Sequence, residues 1–257
     1  MKISGMEHKK ELLIKALRVL FGALVWLCVW QIIYMIVNRE VLIASPLSVF
    51  SRLFEMASEK SFWIKTFNSL FAILEGYVLA IISGVFLAAL TSSSKIIYDI
   101  FKPAISVIKS TPVASFIILA LIWMTKQSVP IFISFLMVLP IVWANVSSAI
   151  KETDYKLLEM AKSYKITKSK IVSKIYIPSI LPSFLSAATT GLGFAWKSGI
   201  AAEVLSTPQN TIGSELYNAK IYIETVDLFA WTVAVIILSM ILEKIVVFSI
   251  NKIFKSK

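Results

Sequence analysis

The sequence has one cysteine, one histidine and eight glycines, and only 16% of its 257 residues are charged. Each shortage excludes something. Cys28 has no second cysteine to pair with, which leaves no disulfide framework and no Cys-based metal site. With His8 as the sole imidazole, a metal centre has no ligand set, and no cluster of nucleophiles and acids points to a catalytic site. None of the glycines is followed by Lys, so the phosphate-binding pattern G-x-x-x-x-G-K-[ST] is absent. What is abundant is apolar: 58% of residues are hydrophobic and the mean hydropathy is +0.81. That composition fits an all-α polytopic membrane protein rather than a soluble domain. The formal charge of +11 comes from Lys residues scattered between apolar spans. This suits basic loops facing anionic lipid, not nucleic acid.

Six spans follow from the apolar runs. Residues 19–37 carry no charge, and at about 1.5 Å per residue they can cross the hydrocarbon layer as an uncleaved anchor. The loop 38–65 holds Ser45-Pro46 and an amphipathic run, LSVFSRLFEMASEKSFW, expected to lie at the outer interface. Span 2 (69–91) repeats small residues every fourth position, at Ala72, Gly76, Ala80, Gly84, Ala88 and Ser92, a ridge that admits another helix closely. Span 3 follows Pro103 and reaches about Thr125, with a kink expected at Ser110-Thr111-Pro112. Span 4 (127–150) turns back at once beside it. Span 5 (179–202) carries a second ridge at Ser183, Ala187, Gly191, Ala195 and Gly199. A polar segment, 203–227, leads to span 6 (228–248) and a basic tail, 251–257.

Lys and Arg decide the orientation. The N-terminus holds five, the 95–109 region three, the 151–174 stretch seven and the C-terminal end four, nineteen on one side against six on the other. The excess places both termini and the 151–182 stretch in the cytoplasm. Lys197 lies inside span 5.

The stretch 151–182 is the long basic interruption between apolar blocks. Thr153 and Asp154 are placed to start a short helix and Thr167 to cap a second that runs to Ile177, with a bend near Lys165 and Pro178 marking re-entry into the membrane. Glu159-Met160-Ala161, then Lys165 six residues after Glu159, then Ile175, Ile177 and Pro178, resembles the E-A-A, Gly, I-x-L-P loop of type I ATP-binding-cassette importer permeases. The likeness covers the chain from about Thr66. Ser69, Leu70 and Gly76, the TP of span 3 and GLGFAWKSGIAAEVL are similar to the nitrate, sulfonate and taurine permeases. Two residues depart from the pattern: Met160 replaces the first Ala, and Lys165 stands where the family has Gly. A positive φ there costs a Lys on the order of 1 kcal/mol.

The resemblance implies a permease domain over 66–250 whose loop 151–178 docks in a cytoplasmic ATPase, with Glu159 and Ala161 at the contact. It implies ATP and Mg bound by that partner and no cofactor in this chain. Further implied partners are a second permease copy and an extracytoplasmic solute-binding protein received by the loops 38–65 and 203–227. The cargo suggested is a small anion (nitrate, a sulfonate or bicarbonate) or a small heterocycle such as a vitamin precursor. For the translocation path, an intramembrane charge is costly unless it faces a pathway or a partner. Lys197 is therefore expected to pair with Glu75 or to attract an anionic substrate, or else to snorkel to the interface. Trp196, Trp123, Trp143, Asn145 and Thr111 are further candidates to line the route. The competing reading is an ion-coupled secondary transporter using Glu75 and Lys197, for which related halves are expected and no convincing internal repeat is found.

Overall fold

A computed structural model describes residues 2–255, and every element in it is helical. Lys257 of the basic tail and the side chain of His8 lie outside the description. The helices are α1 (Lys2–Val37), α2 (Pro46–Ser58), α3 (Lys60–Ser93), α4 (Lys95–Ser110), α5 (Val113–Trp123), α6 (Ser128–Lys151), α7 (Tyr155–Ser163), α8 (Lys168–Ile171), α9 (Ile177–Ser206), α10 (Ile212–Ile221) and α11 (Thr225–Lys255). A π-helical turn, Val172–Tyr176, joins α8 to α9. Five of the helices are long and apolar enough to cross a membrane, and α4 with α5 makes a sixth, broken span.

The chain forms two compact units. One runs up to Glu59 and adds Asn218–Ala234; the other comprises Lys60–Tyr217 and continues from Val235. In the first unit, Ser45 caps α2 by accepting the Ser48 N–H at 3.0 Å, and Pro46 occupies the first turn, where its missing N–H costs nothing. The amphipathic run thus folds as expected but stops at Glu59, where α3 takes over its last residues. Arg52 on α2 donates to both carboxylate oxygens of Asp227, at 2.8 and 2.9 Å. That bidentate pair favours the charged guanidinium and pushes its pKa further above its ordinary value.

The second unit is built on α6, the most enclosed of the spans. Both small-residue ridges are turned onto it. An added Cβ at Gly76 would strike the Ile131 carbonyl, and one at Gly84 would lie 2.8 Å from Val142 Cβ. From α9, a Cβ at Gly191 would lie 3.0 Å from Val138 Cγ1, and one at Gly199 would meet Ile73 Cγ1 at 2.5 Å and Ser134 Oγ at 2.7 Å. Without side chains at these positions the backbones approach, and the buried Ser134 hydroxyl reaches the Ala195 carbonyl at 3.2 Å. The same contacts fix direction. Positions 76 and 84 on α3 meet 131 and 142 on α6 in rising order, so α3 and α6 run parallel. The chain between them must recross, which makes the broken pair α4–α5 a true span.

Three boundaries differ from the sequence expectation. Span 3 is not one kinked helix: α4 takes in Pro103 and the chain turns by 105° before α5. Pro112 cannot donate to the Ile108 carbonyl four residues back, so the regular bonds of α4 end with the Thr111 N–H on the Val107 carbonyl (3.0 Å), which also accepts from Thr111 Oγ1 (2.8 Å). Pro178 is not a break, because the π turn passes the chain into α9, with the Ile177 N–H bonded to the Val172 carbonyl five residues back. The polar segment 203–227 is not a loop; it holds the end of α9, all of α10 and the start of α11.

Candidate functional site

The first candidate surface is α7. Asp154 accepts the Lys156 N–H at 2.8 Å and so caps the helix. At the other end the Lys165 N–H bonds the Lys162 carbonyl (3.0 Å) and the Ile166 N–H bonds the Ala161 carbonyl (2.9 Å). This crossed pair is a Schellman closure, and it places Lys165 in the left-handed region at φ 53°. The bend is thus made with the backbone conformation that favours glycine, at the strain noted above. Glu159 is exposed, as are Tyr155, Leu157, Met160 and Tyr164. Ala161 is 0% exposed, the one buried residue of α7. This corrects the expectation that Ala161 lies at a docking contact. Two residues beyond Glu159 is about 200° around the helix, so one points out and the other in. Ile175 is half-buried in the π turn and Pro178 is exposed.

The second site is a pair of cavities along α6. One, of about 560 Å³, opens at the α4–α5 break and is lined by Lys109, Thr111, Lys197 and Ser198 among apolar walls that include Met137 and Phe194. The other, of about 300 Å³, follows the last two turns of α6 and is lined by Lys102, Lys109 and Lys151 with Ser106, Ser147 and Ser148. Lys109 belongs to both. Among the described residues none of these four lysines is ion-paired. Lys151 Nζ sits 3.8 Å from the centroid of the Tyr98 ring, which stacks on Trp143. The Ser147 hydroxyl is buried without a partner.

Of the seven residues expected to line a path, Lys197 and Thr111 share the larger cavity, Trp143 lines the smaller, and four line neither. Trp196 is 2% exposed and donates its indole N–H to the Val235 carbonyl at 3.2 Å, which fixes it as a packing residue. Asn145 donates back to the Ile141 carbonyl of its own helix at 2.8 Å. Glu75 is exposed, does not line the cavity and forms no ion pair with Lys197. The reason is rotational: Gly199 faces α3, and Lys197, two residues earlier, is swung to the opposite side of α9. Trp143 is buried, donating to Thr91 Oγ1 at 2.9 Å, and Trp123 is exposed.

Sequence reasoning missed Glu203. It is 0% exposed, and its Oε2 accepts from Ser69 Oγ (2.8 Å) and from the Gly213 N–H (2.9 Å), while Ser69 accepts the Ile212 N–H at 2.9 Å. The first turn of α10 is thereby tied to α3 and α9. Gly213 is required, since a Cβ there would lie 2.6 Å from the Val204 nitrogen. A signal was present: Glu203 ends an apolar run, and an ionisable residue there is a site by default. Lys109 was counted only as a loop cation, because its place in both cavities depends on the α4–α5 turn.

Known proteins resemble this chain over most of its length. The nitrate import permease NrtB of Synechocystis is 24% identical over 201 residues, covering 74% of this chain and 72% of the relative. The bicarbonate transport permease CmpB of Synechococcus elongatus is 22% identical over 228 residues, covering 84% and 81%. A bacterial alginate ABC transporter, solved in complex with an alginate pentasaccharide-bound periplasmic protein, contains a chain that superposes with a TM-score of 0.62 at 15% identity over 95% and 94% of the two lengths. Residues 76–257 match the family described as binding-protein-dependent transport system inner membrane component, and the chain belongs to that family of ABC importer permeases.

Proposed function

We propose that this permease is driven by a separate ATPase that docks on α7, and that it carries a small solute across the plasma membrane with both its termini in the cytoplasm. The observation that carries the reading is the construction of α7: a capped nine-residue helix, anchored through Ala161 alone, that turns Glu159 and four aromatic or aliphatic side chains outward. An exposed apolar patch of this kind, rimmed by lysines, fits a protein partner. ATP and Mg would be bound by that ATPase. A second permease copy and an extracytoplasmic binding protein complete the proposed assembly. Two relatives named for nitrate and bicarbonate, and a cavity lined by unpaired lysines, favour a small oxyanion as cargo over a vitamin-like heterocycle. The secondary-transporter reading is not favoured, since residues 76–257 match the binding-protein-dependent permease family.

The test is co-expression with a candidate partner ATPase. Glu159→Arg is expected to lower solute-stimulated ATP hydrolysis at least about tenfold, the loss of roughly 1.4 kcal/mol of docking, with the permease still folded. Unchanged hydrolysis in a stable complex would contradict the docking role.

A further inference from the structure

We infer that Lys109 hands an oxyanion from one cavity to the next, so that Lys197, Lys109 and the pair Lys102 and Lys151 form a stair of cationic steps along α6. The inference rests on the permease reading and its oxyanion cargo, and adds to them a route. The two cavities are successive along one helix: the larger is walled by Met137, Pro140 and Ile141, the smaller by residues 143–151 of the same helix. Ile141 and Trp143 bring the two within one turn of α6 of each other, and Lys109 lines both.

Four lysines without a carboxylate partner are an expensive arrangement in a membrane-spanning unit unless water or an anion compensates them. The hydroxyls alternate with them in the way an oxyanion uses donors: Thr111 and Ser198 in the larger cavity, and Ser106 with the unpartnered buried Ser147 in the smaller. The carboxylate nearest the sequence of the route, Glu152, is engaged by Ser148 at 2.8 Å and does not line either cavity. At the far end Lys151 and Lys102 lie against the Tyr98 face, 3.8 and 5.9 Å from its centroid, which holds their ammonium groups at the cavity without a carboxylate. The chemistry recognised is a small oxyanion, which free in water is the cargo and on a lipid is a headgroup phosphate; we assign the free anion.

The test uses the full chain in nanodiscs with Cys28→Ser and one reporter cysteine at a time, Thr111→Cys for the larger cavity and Ser106→Cys for the smaller. Sulfonatoethyl and trimethylammonioethyl methanethiosulfonates have similar size and opposite charge, so the ratio of their modification rates reads the local potential. Lys109→Met is expected to lower the anionic-to-cationic ratio about tenfold at both reporters, Lys109→Arg to preserve it, and Lys197→Met to lower it at residue 111 alone. In phosphatidylcholine discs, methanesulfonate is expected to slow modification at both reporters. An effect of Lys109→Met at only one reporter or at neither, or a reporter that does not react, overturns the stair. Protection that is absent, or that appears only when phosphatidylglycerol is present, overturns the free anion. The assay uses no ATP, so its failure leaves the docking reading standing, and failure of the Glu159 test leaves this one.

Discussion

The two sides of α9 make opposite uses of one helix. One side, Gly191, Ala195, Gly199, Ala202 and Glu203, is buried against α3 and α6 and ends in the carboxylate that holds α10. The other, with Thr190, Phe194, Lys197 and Ala201, lines a cavity. The contrast teaches that small residues in this helix are there for approach and the charged one for access. A single lysine is tolerated because it stands about 200° from the ridge.

Substitutions along α9 can break or sharpen that contrast. The largest effect is expected at Gly199→Leu, since even the first added carbon would lie 2.5 Å from Ile73. Overpacking of this kind costs about 3 kcal/mol or more, visible as loss of monodisperse protein in detergent. Glu203→Ala comes next. It strands the Ser69 hydroxyl and the Gly213 N–H in a buried site, at about 2–3 kcal/mol, whereas Glu203→Gln retains an acceptor and should lose far less in the same thermal melt. Gly193→Ala is the control within the helix: nothing lies within 4 Å of its Cβ position, so a gain of about 0.5–1 kcal/mol from helix propensity is expected. Destabilisation there would mean that the ridge is wider than these contacts show. Lys197→Met should leave the melt almost unchanged while raising the KM for solute transport; a variant with unaltered concentration dependence would remove Lys197 from the path.

Much of the fold was legible because it is written in period and hydropathy. The spans at 19–37 and 127–150, the two ridges, the helix start at Asp154 and the bend near Lys165 all depend on neighbours within a few residues. The departures share a different cause. A proline marks where a helix loses a hydrogen bond, but whether the chain kinks, turns by 105° as at Pro112 or passes through a π turn as at Pro178 depends on what receives the freed backbone groups. The candidate site was read least well. Lys197 and Thr111 meet in one cavity, while Trp196 belongs to the packing and Ala161 lies beneath the helix it was expected to present.

The sequence alone determined that this chain crosses a membrane several times, that its long basic stretch carries a short helix and a bend, and that two glycine-bearing ridges await partners. These follow from transfer free energy and local geometry, which act along the chain. Only the tertiary structure decided that both ridges meet α6, that Glu203 finds Ser69 across 134 residues, and that Lys109 stands between two cavities. Those facts depend on the rotation of each helix about its axis, which is set by the packing of all the others at once.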